Sequence, residues 1–146
     1  MSNITPTSEP HATSNRFKRI EAVIRLIPKG RVSSYGDIAA FTTGVSPRHV
    51  GFALAGSKEK LPWHRVVNAQ GAVSLRGSDA MGRQRELLET EGVLFNAQDE
   101  IDWRVFGWPG PDLDWFLNQG REVEESISIL SKISARHEKQ SKNHKP

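Results

Sequence analysis

None of the 146 residues is a cysteine, which removes disulfides, cysteine–zinc sites and thiolate catalysis together. Whatever this chain folds into must be held by a hydrophobic core, and its length allows one domain of ordinary size with a tail. The 36% apolar content is low but adequate. No apolar run approaches the ~20 residues of a membrane-spanning helix, and residues 1–15 lack the apolar stretch of a secretory signal. A soluble intracellular protein without membrane contact is expected. The five histidines are scattered, with no close pair to suggest a metal cluster.

The formal charge is +3, but residues 16–85 carry 13 Lys/Arg against 4 Asp/Glu, and residues 86–117 carry 1 against 8. One segment is basic and the next acidic. The basic segment suits a phosphate backbone; the plainer alternative is a solvated surface with neutralisation between the two segments.

Residues 1–15, with Pro6, Pro10 and several Ser and Thr, offer almost nothing to bury and are expected to be a disordered leader. Phe17, Ile20, Val23, Ile24 and Ile27 recur at helical spacing and predict a helix from about Arg16 to Ile27, stopped by Pro28-Lys29-Gly30. Ser34 suits the cap of a short helix over Tyr35–Phe41. Ser46 as N-cap, Pro47 at the first helical position and Gly56 just past the end mark another. Two short helices joined by a glycine-containing turn suggest a helix-turn-helix, with Arg48 near the start of its second helix.

Val66-Val67 and Ala72-Val73-Ser74 flank Asn68-Ala69-Gln70-Gly71 and read as a β-hairpin or wing. Met81 to Glu91 predicts a helix ended by Gly92. Val93-Leu94-Phe95 and Trp103–Phe106 have the β-branched and aromatic content of short strands. A polar helix from about Arg121 to Arg136 carries Val123, Ile127, Leu130 and Ile133 near one face, enough to dock on the domain. The last ten residues are expected to fray. The fold class is then α+β: a winged-helix-like domain over 16–111 with a helix-turn-helix and a small hairpin, followed by a helical, basic C-terminal extension over 112–146.

Leu61-Pro62-Trp63-His64-Arg65-Val66-Val67 resembles the Pro-Cys-His-Arg-Val active-site motif of the O6-alkylguanine-DNA alkyltransferases, with Trp63 at the cysteine position. Gly30 to Ala39 resembles the approach to their helix-turn-helix, Ser46 to Gly51 the start of their recognition helix, and Glu89-Thr90-Glu91-Gly92-Val93 the helix end that closes their domain. The match spans about residues 17–108, and several motifs in the right order make it specific. Pro-Trp-His-Arg-Val is the signature of the alkyltransferase-like subgroup, which binds alkylated guanine without removing the alkyl group. The family chemistry needs a thiolate, and an indole has no nucleophilic lone pair to offer.

The resemblance implies a role for each matching residue. Arg48 corresponds to the arginine finger that fills the space left by a rotated guanine, a task suited to a planar cation that stacks on bases. Tyr35 corresponds to the tyrosine that crowds the target phosphate. Leu54 matches an apolar side chain against the flipped base, and Val66 lies in the same pocket motif. Trp63 lines the pocket beside the O6 substituent, and Arg76 stands over the purine, where a cation distinguishes alkylated from normal guanine. Pro62, His64, Arg65 and Glu91 hold the pocket's shape. Four of them have a plainer alternative: a helix-surface salt bridge for Arg48, a half-buried tyrosine for Tyr35, core packing for Leu54 and Trp63. The family's asparagine hinge after the recognition helix is Ser57 here, and the following loop is shorter, which puts the coupling of helix to pocket in doubt.

The implied function is non-enzymatic recognition of O6-alkylguanine in double-stranded DNA by minor-groove binding and base flipping, which marks the lesion for nucleotide excision repair proteins. It requires no cofactor and no metal, and a monomer suffices. The site of action is the cytoplasm and nucleoid of a bacterium or the nucleus of a eukaryote. The rivals are a winged-helix transcription factor without lesion specificity and a hydrolase built on His64 and Glu91.

Overall fold

The computed structural model describes residues 9–57, 61–73 and 78–142. The chain runs α1 (Glu9–Arg25), β1 (Ser33–Ser34), α2 (Tyr35–Phe41), α3 (Pro47–Ser57), a 3-10 turn (Trp63–Arg65), β2 (Val66–Val67), α4 (Ser78–Thr90), α5 (Trp103–Phe106), α6 (Leu113–Asn118) and α7 (Val123–Lys142). Among the described residues the domain is mostly helical with one small sheet. β1 and β2 pair in parallel, Ser33 with Val66 and Ser34 with Val67.

That pairing divides the interior. Successive strand residues face opposite sides. Val66 joins a cluster built from Ile20, Val23 and Ile24 of α1, Ile38 and Phe41 of α2, Val50 and Leu54 of α3, and Phe116 of α6. Val67 joins a second cluster with Val32, Leu88, Val93, Ile101 and Trp103. The expected apolar stripe of the first helix is therefore buried, but α1 begins at Glu9, inside the segment expected to be disordered. Pro10 suits the first turn of a helix, where its missing N–H costs nothing.

The two central helices start where the caps predict. The Ser34 hydroxyl accepts from the Asp37 amide at 3.1 Å. Ser46 Oγ accepts from the His49 amide at 3.4 Å while its own amide donates to His49 Nδ1 at 3.0 Å. This reciprocal pair is a capping box with histidine in the place usually held by Glu or Gln. α3 runs one residue beyond Gly56.

Other expectations fail for reasons of tertiary context. The turn Asn68–Gly71 forms, with the Asn68 amide donating to Ala72 O at 3.0 Å and the Gly71 amide to Asn68 O at 2.9 Å. Val66-Val67 pairs with the distant β1, however, and Ala72-Val73 is not a strand; Ser74 lies outside the described residues. Gly71 has φ +86, and a Cβ there would stand 2.8 Å from Ile101 Cγ1, so the close approach of the 101 segment requires glycine. Trp103–Phe106 is a helical turn, started by Asp102 accepting from the Arg104 amide at 3.0 Å. Val93–Phe95 is irregular: Val93 is buried and Leu94 exposed, and among the described residues no strand pairs with them. α4 starts at Ser78, and Gly92, at φ +94, follows its end.

The extension does not fray where expected. α7 continues to Lys142, docked by Ile133 and by His137, which is 8% exposed. His137 Nε2 lies 3.0 Å from Asp37 Oδ2 on α2, and its ring stacks on Trp103 at 4.9 Å between centroids. Arg136 pairs with the other carboxylate oxygen of Asp37.

Candidate nucleic-acid interface

The Pro62–Val67 motif wraps around one carboxylate. Pro62 precedes the 3-10 turn, Trp63 opens it, and the chain then enters β2. Glu91, at the end of α4, reaches back to the turn from 26 residues away. It accepts from Arg65 Nε at 3.1 Å and Nη2 at 2.7 Å, and from the Gly30 amide at 2.9 Å. His64 Nε2 stands 2.8 Å from Oε2, the oxygen that also accepts from Arg65 Nη2. Arg65 also donates through Nη1 to Ile27 O at 2.9 Å. The knot thus ties the end of the α1 segment, the loop before β1, the motif and the end of α4. Gly30 fits because its φ is +84 and a Cβ would meet Glu91 O at 3.3 Å.

The electrostatics favour an ionised carboxylate. Burial pushes the Glu91 carboxyl up, but the Arg65 hydrogen bonds, the Gly30 amide and His64 outweigh it and bring the pKa from 4.5 down to about 2. An ionised carboxylate only accepts, so the hydrogen between the pair sits on His64 Nε2. His64 and Arg65 are consequently fixed, with side chains only 13% and 18% exposed.

Trp63 packs against the first core cluster while remaining partly exposed, its ring edge-on to His64 at 6.1 Å. Tyr35, at the first turn of α2, is half-buried against the same cluster. Leu54 and Val66 are members of that cluster, 8% and 1% exposed, and sit in the core. The fold thus converges Tyr35, Leu54, Trp63 and Val66 on one apolar body. Arg48 stands apart on the exposed start of α3, its guanidinium 5.8 Å from the ring centroid of Phe52, which is 54% exposed. Among the described residues no carboxylate pairs with it. Arg76 lies outside the described residues.

Sequence reasoning missed Gln84. It is fully buried on α4, and its amide donates to His64 O at 3.2 Å and Val66 O at 2.9 Å, holding the motif's backbone from behind. A polar residue amid the apolar positions of α4 was the available signal, and it does not say which carbonyls are served. Asp37 was missed too, since its partners are 99 and 100 residues away.

Residues 15–93 match the family model described as 6-O-methylguanine DNA methyltransferase, DNA binding domain. A DNA base-flipping protein of Vibrio parahaemolyticus is 47% identical over 94 residues, 62% of this chain and 92% of that protein. Here the nucleophile position holds Trp63 and the chain has no cysteine. The chain belongs to the alkyltransferase-like DNA base-flipping proteins. Alkyltransferase-like protein 1 of Schizosaccharomyces pombe is 44% identical over 81 residues, 53% of this chain and 75% of that protein. The crystal structure of S. pombe Atl1 in complex with damaged DNA containing O6-carboxymethylguanine superposes with a TM-score of 0.56 at 31% identity, covering 65% of this chain and 95% of that one. This alkyltransferase-like chain has no thiol, so alkyl transfer to a cysteine has no acceptor.

Proposed function

We propose that this alkyltransferase-like chain binds duplex DNA from the minor groove, rotates O6-alkylguanine into a pocket beside Trp63 and holds it unaltered, so that the complex marks the lesion for nucleotide excision repair. The observation that carries the reading is the Glu91 knot: His64 and Arg65 are locked directly after Trp63, a residue that cannot attack an alkyl carbon. A structure kept for catalysis has no use for the lock without the nucleophile; a binding pocket does. The helix pair α2–α3 acts as a helix-turn-helix in a winged-helix-like domain. Tyr35 crowds the phosphate of the target nucleotide, and Arg48 takes the vacated place in the stack. Leu54 and Val66 support the apolar floor from the core. Extruding a base costs a few kcal/mol, and a lesion that weakens pairing lowers that cost.

Arg76 supplies the discrimination. A cation over the purine helps only once the base is in the pocket, whereas a phosphate contact strengthens binding to any duplex. Titration on otherwise identical duplexes carrying O6-methylguanine or guanine is expected to show tighter binding to the lesion. Arg76→Ala should shrink that preference by ~0.5–2 kcal/mol, roughly two- to thirty-fold. Equal affinity of the unaltered chain for both duplexes contradicts the function, and an unchanged ratio in Arg76→Ala returns Arg76 to the phosphate contacts.

A further inference from the structure

The helix α7 lies beyond residues 15–93, which the family model matches, and about a third of this chain has no counterpart in the S. pombe structure. Its last turns sit at a particular place. β1 and β2 are parallel and in register, so Tyr35 and Asn68 leave the sheet at the same end. There Arg136 and His137 hold Asp37, two residues past Tyr35. Gln140 Nε2 donates to Ala69 O at 2.6 Å, in the turn that follows the Trp63 motif. Segment 136–140 therefore bridges the helix that begins with Tyr35 and the turn between Trp63 and Arg76.

The charge of this segment has a direction. Lys132, Arg136 and Lys139 recur at i, i+4 and i+7 and share one flank of α7, beside the docking line of Ile133, His137 and Gln140. Lys132 and Lys139 are exposed, and the Arg136 side chain remains 49% exposed despite its ion pair. A groove lined by Ala40, Ile129, Lys132 and Arg136 separates this flank from α2. Of the acidic residues of α7, Glu124 and Glu125 lie in its first turn, where Glu125 lines the same groove but pairs with Arg121 at 3.3 Å, and Glu138 faces Arg104 at 4.0 Å. The helix dipole accounts for cations near a C-terminus, but not for their alignment on one flank beside the Tyr35 helix.

We infer that α7 is a second DNA-binding element, whose Lys132–Arg136–Lys139 flank contacts backbone phosphates to one side of the flipped nucleotide. The inference rests on the proposed function, which sets Tyr35 and the Trp63 pocket against DNA. A protein with an acidic surface is the competing occupant, and the salt dependence of DNA binding separates the two. Each phosphate neutralised on duplex DNA contributes about 0.9 to the slope of log affinity against log salt.

The test is the full chain with Lys132→Gln and Lys139→Gln together, two exposed positions whose loss leaves the Asp37 pairs intact. It is titrated on guanine and O6-methylguanine duplexes over a range of salt. The expected result is a slope shallower by about 1.8 on both duplexes, with the ratio between them unchanged. A slope equal to that of the unaltered chain overturns the inference, as does a loss confined to the lesion duplex. If the unaltered chain already shows no preference for the lesion, the proposed function has failed instead, and the slope difference still reports on α7.

Discussion

Glu91→Ala is expected to cost about 3 kcal/mol of folding stability at neutral pH, because it strands the Arg65 guanidinium and the Gly30 amide in a site with little access to water. The same residue predicts the acid limb of the stability curve. Its carboxyl titrates near pH 4.5 when unfolded and at about 2 when folded. A depressed folded value means that the stabilisation is fully present above pH 4.5 and is lost progressively as pH falls toward 2. The difference corresponds to about 3 kcal/mol. Urea unfolding between pH 7 and 2.5 should show this loss in the unaltered chain, with a much flatter limb in Glu91→Gln. Two parallel profiles would mean that the knot is not the acid-sensitive element.

Arg48→Ala carries the largest expected effect on binding. The side chain projects from the second residue of α3, supported by the exposed Phe52 ring, and among the described residues no carboxylate claims it. Its loss should weaken lesion binding by ~1–3 kcal/mol, roughly five- to 150-fold, and should lower the signal of a fluorescent base analogue that reports extrusion. Its effect on folding should be small, since the residue is exposed. Unchanged affinity together with unchanged extrusion would make Arg48 an ordinary surface cation.

What the sequence disclosed follows the range of the interactions involved. Ser34 and Ser46 announce α2 and α3 because a cap acts over three residues, and the structure adds only that His49 closes the Ser46 box. The motif around Trp63 was legible as a pattern, and with it the residues Glu91, Arg65 and His64. The number and direction of the bonds on Glu91 depend on Gly30 and Ile27, far away in the chain. Val66-Val67 read as a strand, but its partner is Ser33-Ser34 rather than the neighbouring Ala72-Val73. A hairpin signal counts local turn residues and has no access to a non-local parallel edge.

Trp103–Phe106 shows the limit of composition. Tryptophan, valine and phenylalanine favour a strand, yet Asp102 starts a helical turn and Trp103 is anchored by its Nε1–H donating to Ala69 O at 3.1 Å. Likewise nothing near residue 137 predicts that the helix continues. His137 is buried because Asp37 and Trp103 wait for it across the fold. Recognition without transfer, by contrast, follows from the sequence itself: Trp63 is where the thiol would be, and no cysteine elsewhere replaces it.

That claim is tested most directly by the masses of the protein and of the lesion strand, recovered after prolonged incubation of a saturated complex with a duplex carrying one O6-methylguanine. Both masses are expected to be unchanged, with the methyl group still on the guanine. A protein heavier by one methyl group, with guanine restored in the strand, would contradict it.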